Sequence, residues 1–200
     1  MTKMKGCFTC LLAATATIPV ALADWQFKSR PDLAPPILNI TIPAGPDADK
    51  GYIFITANPP PPGAPVASPE QPGAYIFRDN GDLIWSSQGY LAGFAANIQV
   101  TRYKGQDVLQ SFEGSLDWLH GHGYGHPTFL NQHYEEIGRL RAANHKLISI
   151  HEIRIVDEKS TLVEIYDPVA VDLTPYGGRA DQQWIADGLF QGMSPSNKST

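Results

Sequence analysis

Val108-Leu109-Gln110-Ser111-Phe112 and Leu162-Val163-Glu164-Ile165-Tyr166 stand 54 residues apart. Both are short runs of β-favouring residues, and each follows a turn signal, Lys104-Gly105 in one case and Asp157-Glu158-Lys159 in the other. The same offset carries Tyr75-Ile76 onto Phe129-Leu130, Leu83 onto Ile137 and Asn97 onto His151. The first copy holds strand candidates at Ala74–Phe77, Leu83–Trp85, Asn97–Thr101 and Val108–Phe112. The second holds Thr128–Leu130, Glu136–Leu140, Glu152–Val156 and Leu162–Tyr166. Asn80-Gly81 supplies a hairpin turn in one copy and Asn131–Glu135 a turn in the other. A constant offset near 50 residues with four strands per unit is the mark of a β-propeller blade. The expected fold is therefore all-β, built of four-stranded propeller blades on a repeat of about 54 residues.

Upstream of the repeat, Gly51–Thr56 reads as a further strand. Pro59–Pro72 reads as a surface loop, because its prolines cannot feed a hydrogen-bond ladder. Closed propellers use four to eight blades, and the residues from Asp24 onward hold material for about three units of this length. The propeller is expected to be incomplete, spanning residues 24–191, with a polar tail at 192–200.

Gly and Pro number 18 and 17 in 200 residues, which favours turns and extended chain over helix. The formal net charge of -5 argues against a nucleic-acid partner, which needs a basic face. Residues 1–23 read as a secretory signal peptide. Lys3 and Lys5 form the basic start, Cys7–Leu22 the apolar stretch, and Ala21-Leu22-Ala23 the cleavage site. That reading makes the protein secreted, with no membrane span after cleavage. It removes both cysteines, and it exposes the sequons at Asn39 and Asn197 to glycosylation.

All six histidines fall between His120 and His151, three of them in Leu119-His120-Gly121-His122-Gly123-Tyr124-Gly125-His126. Three readings of that run stand side by side. Imidazoles alternating on a strand can ring a metal, yet the spacing matches no closed zinc pattern, and neither metal nor cofactor is expected. The run can equally be a tight glycine loop between strands, its histidines making local hydrogen bonds. Or it can form part of a metal-free catalytic or anion-binding centre. For the last, Asn144-His145-Lys146, His151-Glu152, Arg139, Arg141 and Arg154 supply further polar and positive groups. Trp118 and Tyr124 are placed to flank an aromatic ligand. His151, matching Asn97 one unit earlier, is expected at the innermost strand of its blade, lining a central channel.

The chain resembles the fungal secreted branch of the arylsulfotransferase (ASST) family over residues 25–191. The resemblance is carried by Pro35–Ile40, Gly51–Phe54, Pro72–Phe77, Asn80–Trp85, Asn97–Val100, the His120–His126 run, Asn144–Glu152 and Gln182–Asp187. It implies a six-bladed propeller and sulfuryl transfer from an aryl sulfate to a phenol through a sulfated histidine, with other His and Arg residues stabilising charge. It also implies further blades beyond an N-terminal part, so the chain alone is expected to be inactive. On this reading His126 and His151 are the candidate nucleophiles, and His120, His122, His145 and Arg154 the candidate anion-binding groups. The alternative is a secreted propeller that binds glycans or aromatic ligands without catalysis. The leader reading is checked by sequencing the N-terminus of the secreted product, which is expected to begin at Asp24; retention of Met1 in the medium would overturn it.

Overall fold

A computed structural model describes residues 30–194; the expected leader and Asn197 lie outside the described residues. Asn39 is exposed in an irregular segment. The described residues are all-β, with three antiparallel sheets and a single 3₁₀ turn at Thr174–Tyr176. The first sheet joins β1 (Tyr52–Ala57), β2 (Gly73–Arg78) and β3 (Leu83–Ser86) in that order. The second is a four-stranded meander of β4 (Phe94–Tyr103), β5 (Gln106–Asp117), β6 (His122–Leu130) and β7 (Glu136–Arg139). The third joins β8 (Ile153–Val156), β9 (Ser160–Ala170) and β10 (Trp184–Met193). Among the described residues no helix is long and apolar enough to cross a membrane.

The sheets break the 54-residue units at a different point from the sequence reading. Each expected unit ran from β2 to β5 or from β6 to β9, whereas the chain pairs β4 with β5, β6 and β7, and starts a new sheet at β8. One sheet has four strands and two have three, and the described strands do not close into a ring. The offset itself cannot say where one sheet ends, since a period has no phase. β10, unmarked by strand alternation in the sequence, runs to Met193, two residues into the expected polar tail of 192–200.

The second sheet is apolar on both faces and forms the middle layer. Leu109, Leu130 and Ala95 pack with Ala74, Ile76 and Trp85 of the first sheet. Val108, Phe112, Phe129 and Tyr103 pack with Ile153, Val163 and Ile165 of the third. Such two-sided burial covers Val108–Phe112 throughout, so the segment shows no alternation of buried and exposed residues.

The histidine run is not a loop. From His122 onward it is β6, paired along its length with β5. Strand period puts His122, Tyr124 and His126 on one face and Gly123 and Gly125 on the other. The glycine face has no room for side chains. A methyl group on Gly125 would lie 2.2 Å from the Glu113 carbonyl and 2.6 Å from the Phe112 ring, and one on Gly123 2.3 Å from Ile150. Gly114 pairs directly with Gly125, and a methyl there would lie 2.4 Å from the Tyr124 carbonyl. The buried Phe112 ring covers all three glycines, filling the space that side chains would take.

This close approach admits a further segment beside the first half of β6. Gly125 and Ile148 exchange both backbone hydrogen bonds at 3.0 Å, and the Ser149 N–H then donates to the Glu164 carbonyl of β9 at 2.8 Å. Residues 148–149 thus stitch the second sheet to the third. The Asn97 side chain adds a second tie by donating to the carbonyls of Ile150 and His151. Asn97 itself sits at φ 49° in a bulge of β4.

We expect Gly125→Ala to destabilise the protein by about 3 kcal/mol, since the clash is with backbone and a packed ring. Gly188→Ala, with open space around it, should stay within about 0.5 kcal/mol of the parent. Denaturant unfolding of the two variants checks the contrast; equal effects would contradict the packing described.

Candidate functional site

The strand ends sort the histidines. The β5–β6 turn, the chain between β7 and β8, and the β9–β10 connection emerge at one end of the sheets, and His120, His122, His126, His145 and His151 lie there. His133 sits in the β6–β7 turn at the other end. Glu113 stands directly across the ladder from His126, Ser115 from Tyr124, and Asp117 from His122. The face that is apolar at Leu109 and Leu130 is therefore polar at its other end.

Glu113 is the pivot of the first group. Its carboxylate is buried, 5% exposed. It accepts a hydrogen bond from His126 Nε2 at 3.0 Å and from the Ala92 N–H at 3.3 Å, and it lies 3.7 Å from Arg139. Arg139 is shared with Glu136 at 2.8 Å. Burial pushes the His126 imidazole below the ordinary histidine range; Glu113 opposes that shift, while Arg139 and Arg141 reinforce it. With Nε2 held as the N–H donor by a carboxylate, Nδ1 carries the free lone pair.

His126 opens into a cleft of about 460 Å³ bounded by Gly125, Arg141, Ala142, Asn144, His145, Lys146 and Leu147. The 141–147 wall is shaped by Asn144 and His145, successive residues at φ 57° and 59°. It is held from β10 by Gln191, whose side chain accepts from the Ala143 N–H at 2.8 Å. Lys146 is ion-paired with Asp167 of β9. Arg141 makes no ion pair among the described residues and is exposed at the cleft. The cleft is thus cationic on one wall and presents a neutral imidazole on the other.

His120 and His122 form a second cluster, of rings. His122 is 2% exposed; its Nε2 meets the Tyr124 hydroxyl at 2.7 Å, and its ring stacks on Tyr166 at 4.8 Å. His120 bonds the Asp117 carboxylate at 2.8 Å and meets Trp184 edge-on. That hydrogen bond from His120 holds Asp117 below the usual carboxylate range. Burial, aided by Asp117 and Asp167, raises the Tyr124 phenol, and the Glu164 hydrogen bond raises that of Tyr166.

His151 is not on a strand. The turn at 157–159 is one residue longer than that at 104–105, so β8 pairs one residue out of step with the fixed offset and begins at Ile153. His151 is half-exposed, bonded to Ser149 at 3.0 Å and 3.5 Å from Glu164. Asn97, its expected equivalent on a channel wall, is instead tied to the His151 backbone. His151 and Arg154 share a separate groove with Gln99 and Glu152. Trp118 packs edge-on against Phe94. Among the described residues no group of three His, Cys, Asp or Glu side chains is placed to hold a metal ion.

A sequence profile of the arylsulfotransferase (ASST) family matches residues 99–200, just over half of the chain. The chain belongs to the arylsulfotransferase family. Every residue of the His126 cleft and of the ring cluster falls within the matched stretch. No curated protein and no solved structure matches this arylsulfotransferase-family chain significantly. The sequence reading named the histidines but gave no role to Glu113, Asp117, Tyr166 or Gln191. The signal for Glu113 was available, since Glu113 and Asp167 stand at the same offset of 54 and both hold a basic partner at this end.

The depressed His126 value sets a pH dependence. The folded protein holds fewer protons on this group than the unfolded chain, so its contribution to stability is present above the ordinary histidine value of about 6.5 and is lost as pH falls through the lower folded value. NMR titration should find His126 as the histidine protonated below that range, and lower still in Glu113→Gln. A His126 titrating above it would contradict the cleft geometry.

Proposed function

We propose that this chain contributes the sulfuryl-accepting half of a secreted arylsulfotransferase, with His126 as the nucleophile. The observation that carries this reading is a neutral imidazole, held through Nε2 by buried Glu113, facing a cleft whose other wall is cationic. Nδ1 attacks the sulfur of an aryl sulfate. The N–S bond forms as the bond from sulfur to the aryl oxygen breaks, and the phenolate leaves with the electron pair. The positive charge created on the sulfated imidazole is offset by the Glu113 carboxylate. Arg141, His145 and Lys146 face the sulfate oxygens, where charge-assisted hydrogen bonds count most. Burial suits this role because it keeps the nucleophilic nitrogen unprotonated near neutrality.

His151 fits the role less well, since it is half-exposed and its Nδ1 is already engaged by Ser149. The 3-4-3 series of sheets at a repeat of 54 residues supports reading them as consecutive propeller blades, of which the middle one has its full four strands. Return of the sulfuryl group to a phenolic acceptor is the half that, on this reading, draws on further blades.

The test uses the purified chain and 4-nitrophenyl sulfate. A burst of nitrophenolate and a sulfated peptide containing His126 are expected. His126→Ala should abolish both, and Glu113→Gln should slow the burst by about 100-fold. A burst that persists in His126→Ala, or sulfation mapped to His151, would reassign the nucleophile.

A further inference from the structure

One edge strand of the three sheets is unlike the rest. β3, β7 and β8 have four residues each and β1 has six, while β4 is interrupted by the bulge at Asn97. β10 keeps an unshifted register with β9 over its whole length, Trp184 to Met193. Among the described residues no strand pairs with its other side. The devices that blunt such an edge are missing from it. It holds no Pro, Lys or Arg and no bulge, and Asp187 is its only charge.

The second sheet shows what lies at this place when it is filled. Phe190 pairs with Glu164 of β9 as Phe129 pairs with Gln110 of β5. Phe129 is fully buried, whereas Phe190 is 79% exposed. The strand beyond Phe129 is β7, which sets Gly138 against it. Beyond Phe190 no described strand takes the place of β7. The local sequence then says which strand fits. Gly188-Leu189-Phe190-Gln191-Gly192 carries its glycines symmetrically about Phe190, so the pattern G-x-F-x-G is the same in both directions. Antiparallel pairing of this segment with itself, centred on Phe190, sets Gly188 against Gly192 of the partner subunit, with both Phe190 side chains on one face. The diagonal neighbours of each ring are then glycines about 7–8 Å away, over which the ring can lie. A methyl group added to Gly188 would meet nothing within 4 Å, and one on Gly192 only Leu162 at 3.6 Å. The chain already packs a ring over strand glycines in this way at Phe112. In the same register Asp187 falls opposite Met193 of the partner subunit, so the two like charges stand at opposite ends of the pair.

We propose that β10 is an interaction edge taken by β10 of a second copy of this chain, antiparallel and centred on Phe190. The third sheets of two molecules become one continuous sheet. Main-chain hydrogen bonds supply the attraction, and the Phe190 pair with its flanking glycines fixes the register. Such a contact uses the same patch on both partners, so it closes on itself and stops at two. The proposal is independent of the sulfuryl-transfer reading, and its test uses no turnover.

The experiment follows the purified full chain by sedimentation equilibrium across about 1–100 µM, the range of weak contacts between small surfaces. The mean mass is expected to rise from one chain towards two, and the amides of residues 188–192 should gain protection from hydrogen exchange over the same range. Phe190→Lys puts a charge at the centre of the edge, on a side chain the fold leaves exposed. It is expected to stay monomeric throughout, with an amide spectrum like the parent's. Ile42→Lys alters a similarly exposed apolar residue elsewhere and should associate as the parent does. A single-chain mass at every concentration would overturn the proposal, as would association that survives in Phe190→Lys. Association without any gain in amide protection would place the contact on the sheet face and overturn the strand pairing. Full protection of the β10 amides in the monomer would assign the edge to a segment of the same chain, and would overturn it too.

Discussion

The contact on which the rest of this structure depends is made by atoms that are missing. Gly114 and Gly125 face each other across the β5–β6 ladder, Gly123 lies two residues along, and the Phe112 ring rests on all three. Because the glycines carry no side chain there, Ile148 can exchange hydrogen bonds with Gly125 and Ile150 can pack over Gly123. From there the chain passes to β9 and the third sheet. Remove the glycines and the loop between β7 and β8 loses its seat, and the 141–147 wall goes with it. A packing constraint on one face of β6 thereby determines the distance between an imidazole and a set of cations on the other side of the cleft.

The opposite face of the same strand carries the candidate site. Alternation puts His122, Tyr124 and His126 in a row, and the antiparallel register supplies Asp117, Ser115 and Glu113 as their direct neighbours. Pairing at the ladder costs little side-chain entropy, since both partners stand on fixed backbone. The two ends of the row then differ in environment. At His126, burial and the nearby arginines outweigh the attraction of Glu113 and keep the ring neutral. At His120, an exposed ring bonds a carboxylate that is itself only partly covered. The same residue type is thus held below its ordinary pKa at one position and anchors Asp117 at the other.

Much of this was readable in the residues. Every strand candidate of the repeat lies on or next to a strand of the structure, because β-branched and aromatic runs between Gly and Asn turns leave the backbone few alternatives. The histidines were marked by their concentration in one window. Glu113 was passed over, because a single carboxylate at the end of a strand looks like its solvent end, and only the match to Asp167 at the 54-residue offset marked it. Its importance comes from the residue across the ladder, thirteen positions away. His151 was misplaced for a different reason: one extra residue in the turn at 157–159 slips the register of β8, and a side-chain period of two turns such a slip into a change of face.

The sequence by itself determined that this chain is all-β, that strand candidates recur along it at a near-constant interval, and that its histidines gather between His120 and His151. Those properties follow from local preference and from spacing along the chain, which need no partner to be expressed. Only the tertiary structure decided where the sheets divide, that the glycine-histidine run is a strand, and which acid and cations meet His126. Each of those depends on groups distant in sequence competing for one small volume, where a methyl group or a single residue of register changes the outcome. The pairing of Glu113 with His126 is of that kind.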